Sequence, residues 1–148
     1  MIHVSPQQLA SAAVVTTQPR ALTPARYLAL RRSAAGMSIN AVAVMIAANK
    51  RDLGEARDLI ALLETPGAVA RRPETIDALR NAFPFDPDVY RQLASEPAER
   101  HPRVCHACGC SAWDPHVDAH GIETLDWADE ATCTRCDNAA SIATGRLR

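Results

Sequence analysis

Aromatic residues are scarce, at 4% of the 148 positions, and no cysteine occurs before position 105. With few aromatics and with Ala and Leu dominant, the conformation that costs least is the helix. Long apolar runs are missing too. The longest, 41–48, falls far short of the ~20 residues a membrane-spanning helix needs, so no span is expected. The start, Met1-Ile2-His3-Val4, has neither the basic opening nor the long apolar core of a secretory signal, and the expected compartment is the cytoplasm. A large net charge is absent as well: the formal value is −1, which excludes a polycation. No internal repeat is visible, and no strand pattern stands out before residue 103. No nucleophile–base set, phosphate loop or paired-carboxylate pattern appears, so an enzyme and a small-molecule substrate are not expected.

What is present is a soluble globular composition, 47% hydrophobic and 22% charged. The length suits one ordinary domain or two small ones. Charge is unevenly spread. Residues 1–100 carry 12 Arg/Lys against 10 Asp/Glu, and residues 101–148 carry 4 against 7. A weakly basic front permits nucleic-acid contact without demanding it.

Helix punctuation divides the chain. Ser5-Pro6 opens a short helix over 7–15 within an N-terminal arm, residues 1–22. Thr23-Pro24 starts a helix from about 24 to 35, with Gly36 at its end and Arg26, Arg31 and Arg32 mostly on the wet side. Ser38 caps a second helix, 39 to about 48, apolar nearly all round and so expected to be the most buried. Asn49-Lys50-Arg51-Asp52 turns the chain. Leu53, Ala56, Leu59, Ile60 and Leu63 then recur at helical spacing until Pro66-Gly67. Pro73 and Asp86-Pro87 begin two more helices, carrying Ile76, Leu79 and Phe83, and Val89, Tyr90 and Leu93. Leu28, Val42, Ile46, Leu59, Ile60, Leu63, Leu79 and Phe83 are the expected core. The chain reads as mainly α: a small bundle of four or five helices over 23–96, a Pro-bracketed linker at 97–103, and a small module over 104–148.

The module is defined by its sulfurs. Cys105-His106-Ala107-Cys108-Gly109-Cys110 is followed, after 22 intervening residues, by Cys133-Thr134-Arg135-Cys136. Two C-x-x-C pairs a moderate loop apart fit one tetrahedral structural zinc ion on Cys105, Cys108, Cys133 and Cys136. Each turn can aim two sulfurs at one metal, and the metal stabilises the thiolate form. A redox pair would need a βαβ context that is absent, and an iron–sulfur cluster is the other four-cysteine option. Cys110 can replace Cys108 or pack as a small apolar residue. Among His106, His116 and His120, His116 is the best reserve ligand. A second metal would draw on nearly every one of these residues. Four cysteines close the coordination sphere, so the zinc is read as structural and not catalytic. Trp113 and Trp127, helped by Ile122, Leu125 and Ile142, are expected to cover the knuckles.

Two stretches resemble known families. Tyr27 through Ala43, with its L-R pattern, Ala35-Gly36-Met37-Ser38, and apolar Ile39, Val42 and Ala43, resembles the start of phage-repressor-like (Xre/Cro-type) helix-turn-helix domains. Leu59-Ile60-Ala61-Leu62-Leu63-Glu64 looks like the end of the family's recognition helix, and Pro73-Glu74-Thr75-Ile76-Asp77-Ala78-Leu79 like the helix after it. The likeness covers about residues 24–95. It implies a regulator that binds double-stranded DNA, often as a homodimer matched to two half-sites. Lys50 and Arg51 would then meet phosphate, Arg57 a base edge or phosphate, and Arg31 and Arg32 would flank the backbone. The chain departs from the pattern in two ways. The core is about seven residues longer than usual, and the would-be recognition helix carries Glu55, Asp58 and Glu64 against Arg57, a charge pattern phosphates repel. The competing expectation is therefore a zinc-stabilised interaction or adaptor protein that keeps the helical fold without reading DNA. The tail, with Cys105, Cys108, Cys110, Asp114-Pro115, Trp127, Cys133 and Cys136, resembles small zinc-binding, zinc-ribbon-like tails of uncharacterised phage and prophage proteins. In those tails a cysteine often follows the Asp-Pro pair where this chain has His116.

Overall fold

Short polar side chains decide where the helices begin. In the computed structural model, which describes residues 20–145, Thr23 stays extended and its Oγ1 accepts the Arg26 N–H at 3.1 Å. Pro24 supplies a preset φ at the first helical position, and α1 runs Pro24–Ala34. The Ser38 hydroxyl accepts the Ala41 N–H at 3.1 Å and opens α2, Ile39–Ile46. Asn49 does the same for Arg51 at 2.8 Å, starting a 3-10 turn, Lys50–Asp52, that feeds α3, Leu53–Leu63. After α4, Pro73–Ala82, the Asp86 carboxylate accepts from both Asp88 and Val89, at 2.8 and 2.9 Å, and α5 spans Pro87–Ser95. The short helix expected over 7–15 lies outside the described residues.

Beyond a second 3-10 turn, Ala98–Arg100, the chain changes character. It forms two short strands, β1 (His116–Val117) and β2 (Glu123–Thr124), paired antiparallel with His116 opposite Thr124, and then α6, Thr134–Ala143. The fold is thus mainly helical, with a small two-stranded sheet confined to the cysteine segment. No described helix is long and apolar enough to cross a membrane.

The core lies where α1 packs on α5 and α2 packs on α3 and α4. Tyr27, Leu28, Val42, Ile60, Leu79, Phe83 and Tyr90 are buried at its centre. Both buried phenols are satisfied: Tyr27 Oη accepts the Asp86 N–H at 3.0 Å and Tyr90 Oη the Ala70 N–H at 2.8 Å. Burial pushes both phenols above their usual pKa. Phe85 sits between the two rings, edge-on to each, at 6.4 and 6.1 Å.

Three expectations need correction. The second helix is not the most buried. Only its Val42 and Ala43 are buried, while Val44 and Met45 are 65% and 56% exposed. A helix lying on two neighbours covers one stripe, and apolar residues on every side leave periodicity nothing to discriminate. Leu59, expected in the core, lies at the edge of its stripe and is exposed, and Ile46 is only partly buried. Arg31, expected on the wet side, is buried. It ion-pairs with Asp114 at 2.6 Å, so the cysteine segment docks on α1. Val104 also joins the helical core, which carries that core past the 97–103 linker.

Candidate metal centre

Two loops meet at the sulfurs. The first closes on itself: the Gly109 N–H donates to Cys105 O at 2.8 Å, and the Cys105 N–H to Cys110 O at 2.9 Å. Gly109 makes this turn with φ +77°, a region other residues avoid. The second loop delivers Cys133 at the start of α6, where its N–H reaches Cys105 Sγ at 3.4 Å. The His106 N–H donates to Ala131 O at 2.8 Å and ties the loops together.

As a result the sulfurs of Cys105, Cys108, Cys110 and Cys133 all lie within 4.8 Å of one another, and all four residues are buried. Cys108 Sγ and Cys133 Sγ are 3.9 Å apart. A metal with ~2.3 Å bonds to sulfur at tetrahedral angles needs sulfur–sulfur edges of about 3.8 Å. All five cysteines are free thiols. The donor set fits a thiophilic metal ion, and these four residues can hold one.

Three of the four sulfurs expected from spacing, those of Cys105, Cys108 and Cys133, belong to this tight group. The fourth member is Cys110. Cys136, in the first turn of α6, packs against the group. His116 also arrives, its Nε2 lying 3.5 Å from both Cys108 Sγ and Cys133 Sγ. The available signals were the Cys-Gly-Cys run, which returns the chain to the sulfur cluster two residues after Cys108, and the Asp114-Pro115-His116 run. Spacing alone ranks a second C-x-x-C above either.

The thiols divide their protons unequally. Hydrogen bonds from Cys110 first, then from Cys136 and Cys105, pull Cys108 down to about 4 against the opposing effect of burial. Cys110, as donor to Cys108, is pushed up, and burial raises Cys133 and Cys136.

Comparison with protein-family models, curated proteins and solved structures gives no match.

The apolar cover is thinner than expected. Trp127 and Leu125 pack on the sulfurs, and the Arg103 guanidinium lies 4.1 Å over the Trp127 ring. Trp113, Ile122 and Ile142 face solvent.

The five basic side chains expected at DNA do not share one open face. Arg31 pairs with Asp114 and also donates to Pro84 O at 3.3 Å. Arg32 grips Glu64 with two hydrogen bonds, of 2.6 and 2.7 Å, and gives a third to Met37 O. These contacts occupy the groups a phosphate would need. Lys50, Arg51 and Arg57 are exposed, with Glu55 and Asp58 exposed on the same helix as Arg57.

Proposed function

We propose that this chain is a helical interaction module, held in shape by structural zinc in its cysteine segment, and that its partner is a protein. The observation that carries this reading is the internal use of Arg31 and Arg32. With both engaged by carboxylates, the exposed side of α3 offers Glu55 and Asp58 beside Leu59 and Leu62, and α2 exposes Val44 and Met45. Acidic and apolar groups repel or ignore phosphate but suit a protein surface. Zinc is favoured for the metal because four thiolates close its sphere and need no redox chemistry. Free thiols are at home in a reducing, cytoplasmic setting.

A DNA-binding regulator of helix-turn-helix type is the second reading. It is favoured by the exposed Lys50, Arg51 and Arg57 around the start of α3. A salt titration of duplex binding by the full chain, beside its Lys50→Glu/Arg51→Glu variant, separates the two. The interaction reading expects no binding at low salt from either protein. Binding that falls steeply with salt and is lost in the variant would replace it with the regulator reading.

A further inference from the structure

We propose that the sulfur centre holds two divalent metal ions sharing the thiolates of Cys108 and Cys133. The proposal rests on the metal-centre reading above and extends it from one ion to two.

One tetrahedral ion takes four donors, yet six converge here: all five cysteines and His116. Cys108 and Cys133 form the common edge, 3.9 Å long. Cys105 and Cys110 complete the tight four-sulfur group with that edge. His116 Nε2 stands outside that group, at 3.5 Å from each sulfur of the edge. For a metal bonded at ~2.3 Å to sulfur and ~2.0 Å to imidazole nitrogen, a tetrahedral sulfur–nitrogen edge is about 3.5 Å. The triangle Cys108–Cys133–His116 therefore has the size of one face of a second tetrahedron. Cys136 packs against the sulfur cluster and lines one cavity with Cys108 and His116, and the proposal assigns it the fourth corner. Two ions with two shared ligands need six donors, and each donor is accounted for.

Charge favours the pair as well. One divalent ion among four thiolates leaves a buried net charge of about −2 and two donors idle. Two ions among five thiolates and a neutral imidazole leave about −1.

Native mass spectrometry of the full chain purified with zinc gives the count. Two ions per chain are expected. A single ion overturns the shared-edge proposal and leaves the metal-centre reading standing, whereas no ion overturns both. Loading with ¹¹³Cd²⁺ tests the geometry: two resonances split by mutual spin coupling through the common sulfurs are expected, and two uncoupled resonances overturn the sharing. His116→Ala removes only an outer corner and is expected to lower the count from two to one. Two ions retained in that variant would overturn the role given to His116.

Discussion

The two regions of this chain solve the same problem by different means. Residues 22–93, joined by Val104, bury a continuous apolar cluster, with aromatic rings meeting near the α4–α5 corner. Residues 105–136 have little apolar material of their own beyond Leu125 and Trp127, and at their centre are sulfurs. Burying carbon surface at ~25 cal/mol per Å² is cheap per residue but needs many residues. A metal–thiolate centre supplies comparable stabilisation from a handful. The comparison teaches that the helical region carries an apolar core of its own, whereas the tail, in the reading proposed above, relies on the ion its sulfurs can hold.

Removing the metal should give the largest effect. Chelation under reducing conditions is expected to unfold the tail, by about 10 kcal/mol of lost binding free energy, while α1 to α5 persist. Amide hydrogen exchange would show protection vanish after residue 104 and survive before it; a tail that stays protected would erase the contrast. Phe83→Ala attacks the other region. It should cost about 3–5 kcal/mol through the cavity it leaves, lower the melting temperature, and leave the metal content unchanged. Arg31→Leu strikes the seam between the two. Breaking a partly buried pair should cost about 2–4 kcal/mol in denaturant titrations, less than a fully dry pair because Asp114 is 17% exposed. Burial raises the Asp114 carboxyl and Arg31 opposes that rise. The pair's contribution is therefore full when Asp114 is ionised and is lost as pH falls through a value above the ordinary 3.8. The stability gap between wild type and Arg31→Leu should narrow on acidification, and a gap independent of pH would remove the ion pair from the account. The smallest change is Asp86→Ala, which deletes two hydrogen bonds at the start of α5 and should cost about 1 kcal/mol without touching metal binding.

Helix starts were legible because their causes are local. Thr23, Ser38 and Asp86 each cap a helix through a bond to a residue two or three places on, and Pro24 and Pro87 follow two of them. That some sulfurs meet was legible too, from the paired spacing. Which face of α2 is covered was not, because Val44 and Met45 look as buriable as Val42 and the choice belongs to α3 and α4. Arg31 was misplaced for a similar reason: its partner lies 83 positions away, and a basic residue on a helix is ordinarily wet. Cys110 and His116 were legible only as reserve ligands, because they reach the centre through a turn and a strand start whose directions no spacing rule encodes.

The close fit of Gly109 to α1 bears on how the molecule is assembled. A methyl group there would lie 2.7 Å from Arg31 Cδ, so the sulfur-bearing turn is moulded against a helix made long before it. During synthesis from the N-terminus, the residues of that wall precede the first thiol, and capture of an ion by the proposed centre would then report that the preceding helices have folded.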